Sequence, residues 1–103
     1  MIRAVFSNSR AVRITGHADF AAHGKDIVCA AVSSAFQLCA NGITEVLQVN
    51  AKVSVGGNTA EIELPDNCAP CATSFIDALK LHLSILEEQY PEYIEIMEDE
   101  PND

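Results

Sequence analysis

Between Ala51 and Leu64 the chain alternates with a period of two. Ala51, Val53 and Val55 are apolar against Lys52 and Ser54, Gly56-Gly57-Asn58 turns the chain, and Ala60, Ile62 and Leu64 alternate with Glu61 and Glu63. This pattern predicts a β-hairpin with one apolar face. It constrains the fold more than any other stretch, because that face must be covered. The cover is supplied on either side. Upstream, Val28, Val32, Ala35, Cys39, Ile43 and Val46 keep helical phase on one face. Gly42 interrupts that run at a cost of only ~1 kcal/mol, so the helix is expected to continue through it. Downstream, after Pro65-Asp66-Asn67, a second helix from about Pro70 to Gln89 aligns Ala72, Phe75, Ile76, Leu79, Leu83 and Leu86.

A second hairpin opens the chain. Ile2, Ala4 and Phe6 alternate with Arg3, Val5 and Ser7, Asn8-Ser9 has turn chemistry, and Val12 and Ile14 alternate with Arg13 and Thr15. Alternation returns from Tyr93 to Glu98 through Ile94 and Ile96. The order is ββαββαβ, which predicts an α/β fold of the α+β type: a two-layer sandwich with a mainly antiparallel sheet covered on one face by two helices. At 103 residues this is one domain, expected over residues 1–97, with residues 98–103 as an acidic flexible tail. Leu81 and Ile85 lie outside the second helix's core stripe, and Val5 lies on the sheet's other face. These leftover apolar positions favour a homodimer over scattered surface residues.

The chemistry concentrates between Gly16 and Ser34, in GHADFAAHGKDIVCAAVSS. His17 and Cys29 are too far apart for one helix face, but a folded loop can join them. A free thiol titrates near ~8.5; a helix N-terminus and an imidazolium both favour the thiolate. Asp26 is a candidate N-cap for a helix beginning at Ile27. Cys29 would then sit in its first turn, where free N–H groups can hold an oxyanion. The alternative is a cysteine that is simply a small buried hydrophobe. His23 competes with His17 as base but reads better as a solvent-facing loop residue. Ser33, one turn beyond Cys29, either supports the nucleophile or merely lines the helix.

The run Gly16-His17-Ala18-Asp19, then Gly24, then Asp26-Ile27-Val28-Cys29-Ala30-Ala31-Val32-Ser33 resembles the signature of the bacterial ribosomal-processing cysteine protease (Prp) family. Length and element order are similar as well, so the likeness spans nearly the whole chain. The resemblance implies a cysteine endopeptidase that removes a short N-terminal extension from a large-subunit ribosomal protein during ribosome maturation. Carried over by position, it implies Cys29 as nucleophile and His17 as base. Asp26 takes the conserved acidic position, Ser33 the small hydroxyl, and Gly16 to Gly24, with Asp19 between them, a glycine-bounded loop. It points to a dimer too; thiolate attack of this kind is expected to need no metal or cofactor.

Fifteen acidic residues against six basic ones argue against direct nucleic-acid binding. The same surplus suits a basic partner such as a ribosomal protein, although solubility explains it equally well. Met1-Ile2-Arg3 leads straight into strand alternation, and no apolar run approaches the ~20 residues that cross a bilayer. A cytoplasmic protein with reduced thiols and no membrane association is therefore expected. Cys68-Ala69-Pro70-Cys71 at a helix start is a possible redox pair. Without a thioredoxin-like setting or further ligands, incidental loop cysteines explain it better. Cys39 falls in a core stripe, and His82 reads as a packing or surface histidine. The competing functional classes are a non-catalytic ribosome-associated binding module and a thiol redox protein using Cys68 and Cys71.

Overall fold

The computed structural model describes residues 1–16 and 23–99, with the backbone alone for residues 23–26. The elements are β1 (Ile2–Ser7), β2 (Ala11–Thr15), α1 (His23–Asn41) with a π-helical extension (Gly42–Val46), β3 (Lys52–Gly56), β4 (Thr59–Glu63), α2 (Pro70–Gln89) and β5 (Ile94–Glu98). Both hairpins close where a left-handed backbone is tolerated. Asn8 and Ser9 have φ of 52° and 57°, a conformation that Asn adopts at low cost. In the second hairpin Gly57 alone takes positive φ, 59°, matching the glycine-first turn of a two-residue loop.

The five strands form one sheet in the order β3-β4-β2-β1-β5. β1–β2, β2–β4 and β3–β4 pair antiparallel, while β1–β5 is parallel, with Ile2 opposite Ile94. The expected α+β sandwich is thus present, and the sheet is mixed. The registers put Ile2, Ala4, Phe6, Val12, Ile14, Ala60, Ile62 and Ile94 on one face, all buried. The other face carries cross-strand ion pairs, Arg3 Nε to Glu95 Oε1 at 3.0 Å and Arg13 Nε to Glu61 Oε2 at 3.4 Å. Such exposed pairs contribute little stability, yet they make that face polar.

α2 takes its expected span and buries Ala72, Ile76, Leu79 and Leu83. α1 buries Val28, Val32, Phe36, Cys39, Ala40 and Ile43. The expected core stripe fails at its end: Val46 is 76% exposed. The cause is the π-helical turn, in which Leu47 N–H bonds Gly42 O, five residues back. The extra residue per turn rotates Val46 out of phase. Gly42 sits against the Phe75 ring; a Cβ there would lie 2.5 Å from Phe75 Cε1. Close approach of the two helices, rather than a helix end, is what this glycine serves.

Two further expectations change. Ile27–Val46 is 20 residues long with mean hydropathy 1.5, so the chain does contain a run with the length and apolarity of a membrane span. Its buried face packs into the core described above. At the other end, β5 includes Glu98, and Asp99 N–H bonds Phe6 O at 2.9 Å. Residues 98 and 99 are therefore tied to the sheet, and the remainder of the expected tail, 100–103, lies outside the described residues.

Candidate active site

Cys29 is on α1, half-buried and packed against the core. Its neighbours explain the depth: Val28 is fully buried and Ile27 faces solvent, so Cys29 occupies the flank of the helix. α1 begins at His23, four residues earlier than the Asp26 cap predicts. Gly24 and Asp26 therefore lie within the helix, and Asp26 is not its N-cap. Cys29 falls almost two turns in. Its backbone N–H belongs to the helical ladder, which removes it as the free oxyanion donor expected at a helix mouth.

His17 and Asp19 lie outside the described residues, as does most of the segment between Gly16 and Gly24. The described part of that segment at its β2 end is its first residue. Gly16 has φ of 83°, and its N–H bonds Asn58 O at 3.1 Å. This ties the end of β2 to the β3–β4 turn. A Cβ on Gly16 would collide with the carbonyl oxygen of Met1. Both the backbone conformation and the neighbouring strand start require glycine here.

Ser33, one turn along α1 from Cys29, is exposed. It lines a cleft of about 60 Å³ between α1 and the second hairpin, together with Ile14, Val32, Phe36, Gln37, Val55 and Ala60. The sequence gives no hint of this cleft. Strict alternation in 51–55 argues for a buried face, yet every residue of β3 is exposed, Val55 at 70% and Val53 at 39%. β3 is the sheet's edge, paired on one side only, with β4.

The other cysteines differ from Cys29. Cys39 is buried as expected, and its thiol donates to Phe75 O at 3.4 Å. Burial pushes its pKa up from 9.0 to about 11, so it is a protonated, inert thiol at neutral pH. Cys68 is half-buried and Cys71 exposed. Ala69 between them is extended (φ −66°, ψ 148°), as the residue before a proline favours, and Pro70 starts α2. His82 is exposed on α2. Among the described residues no group of three or more His, Cys, Asp or Glu side chains is placed to hold a metal ion.

The family model described as cysteine protease Prp matches residues 1–95. The ribosomal processing cysteine protease Prp of Bacillus subtilis (strain 168) is 27% identical over 89 residues, covering 81% of this chain and 80% of that protein. Among solved structures, the essential ribosomal processing protease Prp from S. aureus, in complex with a substrate peptide, superposes with a TM-score of 0.87. It is 24% identical, over 96% of this chain and 100% of that one. A Streptococcus mutans protein superposes with a TM-score of 0.86 at 25% identity, covering 98% and 96%.

Proposed function

The chain belongs to the cysteine protease Prp family, and from that premise we propose that it is the endopeptidase that removes the N-terminal extension of a large-subunit ribosomal protein during ribosome maturation. The carrying observation is Cys29, a half-buried thiol on α1 almost two turns from its start, in a chain that the family model matches over residues 1–95.

In this reading His17 takes the Cys29 proton, and the thiolate attacks the scissile carbonyl. His17 then gives the proton to the departing amine, leaving an acyl-enzyme on sulfur that water hydrolyses. The formal net charge of −9 suits a basic substrate. Asp19, Asp26, Gly24 and Ser33 have supporting roles around the segment and the nucleophile. The enzyme works in the cytoplasm without metal or cofactor. It acts as a homodimer through the outer helix layer, where Leu38, Leu81 and Ile85 are exposed.

The test is incubation with the co-expressed precursor ribosomal protein followed by intact-mass measurement. The parent enzyme is expected to shorten the precursor at one position, and Cys29→Ala to leave it whole while melting at the same temperature. A Cys29→Ala protein that still cleaves would end the proposal.

A further inference from the structure

The two edges of the sheet are treated differently. At the β5 edge, Ile96 N–H donates to Glu87 Oε2 at 3.1 Å, and Lys80 pairs with Glu98. Side chains of α2 thus close that edge to another strand. At the β3 edge, none of the described residues bonds the outer side of the backbone between Lys52 and Gly56. An open edge is a template for an added strand unless something blocks it. Lys52 is the only charge on β3, and the strand contains no proline.

The open edge is also continuous with the candidate nucleophile. Ser33 and Gln37 follow Cys29 along α1 at four-residue steps, so all three share one helical flank. The cleft beneath Ser33 and Gln37 has Val55 of β3 as its far wall. Its volume of about 60 Å³ is roughly twice the share of one water in the liquid. That suits a small apolar side chain, whereas a cavity that takes an aromatic ring is nearer ~150 Å³.

We propose that β3 and the cleft beside it form a substrate subsite, in which an extended peptide pairs with the open strand edge and seats one small apolar side chain among Ile14, Val32, Phe36, Val55 and Ala60. An extended peptide presents alternate side chains to opposite faces. One residue enters the cleft while its neighbours face solvent or the surface above the outer sheet. Ser33 and Gln37 supply polar groups at the rim for the peptide main chain. The subsite rests on the protease reading above, because the occupant is the peptide to be cleaved.

Peptides spanning the N-terminal segment of the precursor ribosomal protein, with each position replaced in turn by Val, Phe and Asp, test it. Binding is measured with the Cys29→Ala chain and hydrolysis with the parent enzyme. One peptide position is expected to accept Val and to lose about tenfold with Phe or Asp. Val55→Asp, a change at an exposed position, is expected to weaken binding about tenfold and to raise KM while kcat is kept. Val46→Asp, exposed on the π-helical turn, changes neither. Equal tolerance of Phe and Asp at every peptide position, or unaltered binding by Val55→Asp, overturns the subsite. Val55-dependent binding without hydrolysis by the parent enzyme keeps the subsite and sinks the protease reading; hydrolysis indifferent to Val55 does the reverse.

Discussion

Gly16 and Met1 are in direct main-chain contact: the space a side chain would need at Gly16 is filled by the Met1 carbonyl oxygen. The first residue of the chain thus walls in the residue from which the His17 segment departs. Gly16→Ala meets two penalties, a left-handed backbone costing ~1–2 kcal/mol and a collision with main-chain atoms that cannot rotate away. A loss of at least about 2 kcal/mol is expected in chemical denaturation. A variant as stable as the parent would show that the corner relaxes freely.

Gly42 and Phe75 form a comparable contact with a movable partner. Gly42→Ala gains up to ~1 kcal/mol of helix propensity but pushes on the Phe75 ring, and a net loss of about 1 kcal/mol is expected. In a Phe75→Ala background the same change becomes stabilising. A double-mutant cycle reads this coupling directly, and additive effects would refute it.

Gln48 ends the π-helical turn with φ of 58°, and Val49 N–H reaches over it to Ile43 O at 2.9 Å. Glycine is the residue that a left-handed helix terminus favours. Gln48→Gly should therefore raise stability by about 0.5–1 kcal/mol in spite of the freedom glycine adds to the unfolded chain. The check is the denaturation midpoint at unchanged slope.

Cys39 gives a pH dependence. Its folded pKa of about 11 lies above the ordinary 9.0, so between those values the folded chain holds a proton that the unfolded chain has lost. Stability contributed by the neutral buried thiol is complete below pH 9 and declines as pH rises toward 11. Cys39→Ala should flatten that decline while lowering stability at neutral pH through the cavity it leaves. In the parent protein, alkylation at pH 7.5 should mark the exposed Cys71 and spare Cys39 until the chain unfolds.

The proposed homodimer has its own test. Leu81→Glu with Ile85→Glu places charge on an exposed helix face and should leave the fold intact. Light scattering at micromolar concentration should read two chains for the parent and one for the double variant. A monomeric parent refutes the assembly.

Much of this fold is written locally. Asn8-Ser9 and Gly57 mark the turns, period-two runs mark the strands, and Pro70 marks the start of α2; each acts within a few residues of itself. The features that escaped depend on distant neighbours. Val53 and Val55 have the pattern of a half-buried strand, and only their place at the sheet edge leaves them uncovered. Val46 keeps perfect helical phase in the sequence, which carries no signal for the widened turn packed against Phe75. The α1 start at His23 passes through Gly24, a residue that local propensity assigns to a loop. Of the candidate site, the residue types and the helix bearing Cys29 were legible, because the motif is contiguous. The cleft was not, since its walls come from four separate elements.

The parallel pairing of β1 with β5 has a consequence for how such an enzyme comes into being. β1 is an interior strand, and one of its two partners, β5, comes after all the other described elements along the chain. During translation the nascent sheet keeps an exposed flank along Ile2 to Ser7 until Ile94 and its successors arrive to close it. The sheet thereby closes late, through the pairing most distant in sequence, and a chain cut short of Ile94 keeps that flank of β1 open.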